Sequence, residues 1–136
     1  MAPSNAVIVT AHHQDDQVET FLLALKRGAG LTGLSAMSER MLFGNEQQQL
    51  FRPLLSVNKS EILNFAKAHG LDWVEDDSNV DTQFDRNFLR QEILPLLSER
   101  WPGFAKAVSR SAAHCRDSEA LIGDLLESQY LSLIHI

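Results

Sequence analysis

Cysteine is nearly missing from these 136 residues. Cys115 stands alone, so no internal disulfide and no multi-cysteine zinc or iron–sulfur site can form, and the usage fits a reducing compartment. Long apolar runs are missing as well. No stretch approaches the ~20 apolar residues that cross a bilayer, and the N-terminus lacks the basic-then-apolar order of a secretory signal. The expectation is a cytoplasmic chain with no membrane partner. Basic residues are in deficit: 12 Lys and Arg against 18 Asp and Glu leave a formal charge of −6. Phosphate contacts need clustered cations, so any grip on nucleic acid is local or supplied elsewhere. No internal repeat is visible, and the only biased tract is Gln47-Gln48-Gln49. What is present is a hydrophobic content of 44%, sufficient for one compact unit, or for one domain and part of another.

The apolar, β-branched run Ala6 to Thr10 predicts a buried strand that leads into the polar cluster His12 to Asp16. From Asp16 to Arg27, Val18, Phe21, Leu22 and Leu25 fall at i, i+3, i+4 and i+7, the stripe of an amphipathic helix that Gly28 stops. Met41 to Gly44 and Leu50 to Arg52 predict a hairpin-like pair, ended by Pro53. Asn58 with Glu61 forms a capping-box pattern for a helix carrying Ile62, Phe65 and Ala66 and closed by Gly70. Leu71 to Val74 reads as a further strand and Glu75 to Asp85 as an acidic loop. Asp85 is expected to cap a helix starting at Arg86, which Pro95 kinks or ends, and Trp101-Pro102-Gly103 marks the next break. A long amphipathic helix follows from Phe104, with Val108, Ala112, Cys115, Ile122 and Leu125 or Leu126 on its apolar face. This order predicts an α/β layer passing into a helical segment near residue 100.

The cluster His12-His13-Gln14-Asp15-Asp16 lies where an α/β sheet places ligands, beyond the carboxyl end of a strand and at a helix N-terminus. At 100° per residue from Asp16, Glu19 falls at about 300° and Thr20 at about 40°, while the apolar stripe spans about 140° to 240°. The two carboxylates therefore share the face turned away from the stripe. Two acids one turn apart beside a histidine can bind an amine, hold Mg²⁺ or take a proton. The competing reading is that Asp15 and Asp16 only complement the helix dipole while the histidines hydrogen-bond at a turn. Zinc is disfavoured at His12 and His13, because adjacent histidines leaving a strand point to opposite faces. Gly28-Ala29-Gly30-Leu31-Thr32-Gly33 has the letters of a dinucleotide fingerprint but follows a helix instead of a strand, so it reads as a C-cap and tight turn passing close to the site. Asp77, Asn79 and Asp81 imitate half of an EF-hand loop, yet Thr82 and Phe88 replace its Gly and Glu, which excludes calcium. Arg86 and Arg90, one turn apart, can clamp phosphate or carboxylate, or pair structurally with nearby acids.

His12 to Thr20 (HHQDDQVET), followed by Arg27 to Leu34 (RGAGLTGL), resembles the signature of tRNA(Ile)-lysidine synthases. Arg52 to Leu55, Trp73 to Asn79, Asp85 to Arg90 and Arg100 to Pro102 resemble further segments of that family in the same order. The resemblance covers most of the chain up to about Leu126. It implies an α/β fold with a partial adenine-nucleotide α-hydrolase-like (Rossmann-like) parallel sheet and flanking helices, followed by a helical segment. By the same comparison residues 1–100 are the C-terminal part of an ATP-pyrophosphatase domain, residues 101–127 a helical linker or the start of a middle domain, and residues 128–136 an unmatched tail. The implied reaction is ATP-dependent adenylation of the C2 carbonyl of the wobble cytidine in a tRNA(Ile) with a CAU anticodon. Pyrophosphate is released, and the ε-amine of L-lysine then displaces AMP. The implied catalytic residues are His12, Asp16 and Glu19, with Asp16, Glu19, Arg86 and Arg90 binding lysine or phosphate. ATP is a substrate, Mg²⁺ is expected near Asp16, and a homodimer is admitted.

The departures from the family pattern carry their own expectations. The Ser-Gly-Gly-x-Asp-Ser loop that cradles ATP phosphates in the family is not present ahead of the first strand, where only Met1 to Asn5 stand. The tRNA-binding C-terminal domains are not matched either. The chain alone is therefore expected to lack lysidine synthase activity and to expose apolar sheet edges. Two rival readings remain: a tRNA 2-thiolating enzyme, for which the single Cys115 is too few, and a catalytically inactive module that binds a partner through the helix from Phe104.

Overall fold

The computed structural model describes residues 6–44, 48–74 and 84–134. Three strands form one sheet: β1 (Val7–Val9), β2 (Arg40–Phe43) and β3 (Gln48–Phe51), in the order β1-β3-β2. β3 runs parallel to β1, with Val7 opposite Gln49 and Val9 opposite Phe51. It runs antiparallel to β2, with Arg40 opposite Phe51, so the expected hairpin is present. The Arg40 guanidinium lies 4.6 Å from the centre of the Phe51 ring, a cross-strand cation–π pair that helps hold this register.

The helices are α1 (Gln14–Lys26), α2 (Leu31–Leu34), α3 (Lys59–Ala68), α4 (Phe84–Phe88), α5 (Leu94–Arg100) and α6 (Phe104–Ile134), with a π-helical turn, Leu89–Ile93, joining α4 to α5. Gly28 takes φ +73° and closes α1, its N–H bonded to the Leu25 carbonyl. The Gly28–Gly33 turn is indeed tight: a Cβ on Gly33 would lie 2.5 Å from the Ala29 Cβ. This turn leads α2 against α6, where Thr32 Oγ1 donates to Glu119 at 2.8 Å. Asn58 caps α3 as its pattern predicts, accepting from Glu61 N–H at 2.8 Å while the Glu61 carboxylate accepts from Asn58 N–H.

The core is a helix-on-helix contact rather than a covered sheet. Val18 of α1, Leu94 of α5 and Val108 of α6 meet, flanked by Phe21, Leu22, Phe104 and Ala105. Ala24 and Ala112 are also buried, and their small side chains let α1 and α6 approach closely. Only the first half of the α6 apolar face is engaged. Phe104, Val108, Ala112 and Cys115 are at least half-buried, whereas Ile122, Leu125 and Leu126 are exposed.

Several expectations are corrected. β1 is exposed at all three positions, because it is an edge strand and among the described residues no helix lies across it. Leu71 to Val74 forms no strand, since among the described residues no neighbouring strand pairs with it. Asp85 does not cap a helix. α4 begins one residue earlier, at Phe84, and the Asp85 carboxylate accepts from Lys26 Nζ at 2.8 Å. Pro95 neither ends nor sharply breaks the helical path: it sits in the first turn of α5, where its missing N–H is harmless, and the π-helical turn precedes it. The EF-hand-like residues Asp77, Asn79 and Asp81 lie outside the described residues. Among the described residues, no helix is long and apolar enough to cross a membrane.

Candidate active site

After β1 the chain stays tied to β3 through Thr10 N–H, which donates to the Phe51 carbonyl at 3.0 Å. The Thr10 hydroxyl bonds the His12 Nδ1 at 2.8 Å. His13 then caps α1. Its N–H donates to Asp16 Oδ2 at 2.8 Å and its Nδ1 bonds the same oxygen. Gln14 N–H is taken by the Val57 carbonyl, which anchors the start of α1 to the segment after β3. A capping box thus places the Asp16 carboxylate at the sheet mouth.

One turn on, Glu19 is fully buried. Arg90 grips it with two donors, Nε to Oε2 and Nη2 to Oε1, both at 2.9 Å. Arg86 approaches from the preceding turn, Nη1 at 3.5 Å from Oε1 and Nη2 donating to Thr20 Oγ1 at 3.0 Å. Arg90 Nη2 also lies 3.5 Å from Asp16 Oδ1, so a single guanidinium bridges the two acids of α1. Burying a carboxylate is costly unless it is paired and hydrogen-bonded, and the bidentate fork supplies both. Glu19 and Asp16 do share the face turned away from the apolar stripe, but Glu19 is covered there. α4 and the π-helical turn lay their arginines across it.

The electrostatics follow from this packing. The hydrogen bond to Asp16 raises the His13 pKa above 6.5; burial opposes the shift, and the charges of Asp16, Asp15 and Glu19 reinforce it. For Asp16, burial pushes the carboxyl upward, but the ring and N–H bonds from His13, with the charges of His13 and Arg90, outweigh it and hold the group below its usual 3.8. The bidentate bond to Glu19 raises Arg90 further. The result is an ionised Asp16 carboxylate, its side chain 17% exposed, beside a fully covered Glu19. Asp15 adds a second carboxylate at the mouth, 4.0 Å from His13 Nε2.

Asp16, Glu19, Arg86 and Arg90 are brought together. His12 is at the same mouth, but its ring bonds Thr10 and not the acids. The histidine on Asp16 is His13, a role that the His13-to-Asp16 spacing of a capping box could have signalled. Thr20, the partner of Arg86, stood in the HHQDDQVET segment without an assigned task. Gln17 and Arg116 went unnoticed. Gln17 exchanges two bonds with the Met37 backbone, and Arg116 Nη2 donates to the Ser35 and Met37 carbonyls at 2.7 and 2.6 Å. No local pattern reveals that a residue of α6 will meet a loop some eighty positions earlier. Among the described residues, no group of three or more His, Cys, Asp or Glu side chains is arranged to hold a metal ion.

The family model described as PP-loop domain matches residues 1–97. The chain belongs to the PP-loop domain family. Its mixed sheet with flanking helices is accordingly part of an adenine-nucleotide α-hydrolase-like fold. Among similar PP-loop proteins, the tRNA(Ile)-lysidine synthase of Proteus mirabilis is 56% identical over 130 residues, covering 96% of this chain and 29% of that protein. The enzyme of the same name from Vibrio vulnificus is 60% identical over 120 residues, covering 88% and 27%. That from Photobacterium profundum is 54% identical over 129 residues, covering 95% and 29%. The chain therefore spans less than a third of the length of these relatives.

Proposed function

We propose that this chain supplies the lysine-handling part of a tRNA(Ile)-lysidine synthase, a ligase that joins L-lysine to the wobble cytidine of a tRNA(Ile) with a CAU anticodon, in the cytoplasm. The observation that carries the reading is the ionised, partly open Asp16 carboxylate at the mouth of the sheet, in a chain 53–60% identical to relatives of that name.

The lysine ε-ammonium, with an ordinary pKa of about 10.4, must be held and must lose a proton before it can attack. Asp16 is the group that holds it: it carries negative charge at neutral pH, Arg90 fixes its second oxygen, and the proton that the ammonium loses passes to solvent water at the open mouth. Glu19, with both oxygens engaged, acts as a positioning residue that keeps Arg90 and Arg86 aimed across α1. The partly exposed guanidinium edges of Arg86 and Arg90 suit the lysine carboxylate or a phosphate oxygen. His12 stands at the strand end, where it can donate to the developing negative charge. ATP supplies the AMP group that makes the cytidine C2 oxygen a leaving group. When the ε-nitrogen bonds to C2, the C2–O bond breaks and AMP departs. Mg²⁺ fits the hard oxygen donors Asp15 and Asp16, since this ion takes only one or two protein carboxylates beside phosphate oxygens.

The test is a chimaera in which residues 6–126 of this chain replace the matching stretch of the Proteus mirabilis enzyme. ATP-dependent incorporation of labelled lysine into the cognate tRNA is expected, and Asp16→Asn in the chimaera should lower it about a hundredfold while lowering the melting temperature by only a few degrees, the share owed to its pairing with His13. A folded, tRNA-binding chimaera with no incorporation would sink the reading and favour the inactive module.

A further inference from the structure

We propose that the cavity between α1, the segment following β3 and α6 is a binding site for a single phosphoryl group, separate from the Asp16 mouth. It is lined by Gln17, Glu39, Arg52, Ser56, Ser109 and Arg116 among others, with a volume of about 170 Å³. At ~30 Å³ per water molecule this is room for a small hydrated anion, and it is well below the ~300 Å³ at which pockets for larger ligands begin. On α1, Gln17 and Glu19 are separated by about 160° around the axis, so the cavity and the Glu19 cluster occupy opposite sides of one helix.

The arginines make the case for an anion. Arg52 Nη1 donates to the Ser38 carbonyl at 2.8 Å, and Arg116 Nη2 to the Ser35 and Met37 carbonyls. Each guanidinium is thus oriented by backbone, while its other terminal nitrogen has no bond among the described residues. Neither forms an ion pair there, although Lys26, Arg86 and Arg90 all do. Two fixed, unpaired arginines on one small cavity match a tetrahedral oxyanion. A second observation points the same way. Arg52 Nε and Ser109 Oγ, both on residues lining this cavity, are buried without a hydrogen-bond partner. Both atoms thus keep unmet hydrogen-bonding capacity on residues that line the cavity. The exposed Glu39 at the rim opposes anion entry and sets the net charge of the lining at +1, which favours one phosphoryl group over a polyphosphate.

Two sources offer that chemistry, free inorganic phosphate and an RNA backbone phosphate. The full 136-residue chain is titrated with inorganic phosphate, and separately with a short RNA hairpin, while the arginine side-chain N–H signals are followed by NMR. Saturable shifts at Arg52 and Arg116 are expected. Arg52→Gln should weaken binding about tenfold, and the exposed change Glu39→Gln, which threatens no fold, should tighten it several-fold. Saturation by phosphate alone assigns the site to the free ion, and salt-sensitive saturation by the hairpin assigns it to RNA; both support the site. Absence of saturation in both arms overturns it, as does binding that neither substitution alters.

Discussion

Glu19 shows how much a single buried charge can demand of its neighbours. With the carboxylate fully covered, removing Arg90 leaves it facing only the more distant Arg86, and such losses cost about 3–5 kcal/mol. Arg90→Leu is therefore expected to lower unfolding free energy by about 3 kcal/mol in urea titrations, whereas the double change Glu19→Leu/Arg90→Leu should recover most of the loss. Equal losses in both would show that the ion pair is not what Arg90 contributes. The His13–Asp16 pair makes a separate prediction about pH. His13 is raised above 6.5, so its contribution is complete below that value and is lost as pH climbs through its folded pKa. Asp16 is depressed below 3.8, so its contribution is present above that value and is lost as pH falls through its folded pKa. Stability from this pair should plateau between roughly pH 4 and 6.5, and the plateau should flatten in His13→Gln; an unchanged profile would count against the pairing. At this scale the sequence was legible where chemistry follows from spacing, as in the one-turn offset of Asp16 and Glu19 or of Arg86 and Arg90. It was not legible where a partner comes from another element. Nothing local to α1 says that Glu19 will be covered.

Elements that carry their own punctuation were readable. The Asn58–Glu61 box and Gly70 bound α3, Gly28 ends α1, and the hairpin of β2 and β3 falls within a residue or two of its apolar runs. Asn58→Ala should destabilise α3 by about 1 kcal/mol, seen as faster amide exchange confined to that helix. A rise in exchange across the whole chain would instead tie the cap to global unfolding. Gly33 is a stricter case, because an added methyl meets Ala29 at 2.5 Å where α2 turns back toward α1. Gly33→Ala is expected to cost about 1–3 kcal/mol, checked by thermal melts; a neutral result would show that the turn can open. Less readable were elements whose existence depends on a neighbour. Leu71 to Val74 has strand composition but, among the described residues, no ladder to join, and β1 has the residues of a buried strand while lying bare at an edge. The second half of α6 keeps its apolar spacing while Ile122, Leu125 and Leu126 stay exposed.

For the molecule as a whole, the consequence is surface. A compact monomer of 15.2 kDa should expose about 7,100 Å² by the usual scaling, whereas this chain exposes 10123 Å². Among the described residues only Val18, Ala24, Leu94, Val108 and Ala112 are buried apolar side chains. Val7, Ile8 and Val9 on β1 and Leu121, Leu125 and Tyr130 on α6 are open to water. The isolated chain is expected to bind a hydrophobic dye and to associate with rising concentration in sedimentation runs. A sharp cooperative melt of a dye-silent monomer would contradict this. The helical path from Phe84 to Arg100 adds a feature of another kind. Its π-helical turn carries one residue more than an α-helix would need and absorbs it in a wider turn between Arg86 and the core anchor Leu94. Loss of one residue between Arg90 and Leu94 would let the path wind as plain α-helix, the narrower turn taking up the missing residue, and would leave Arg86 close to its present orientation relative to Leu94. In this stretch a one-residue deletion is a milder lesion than the same loss inside a plain α-helix.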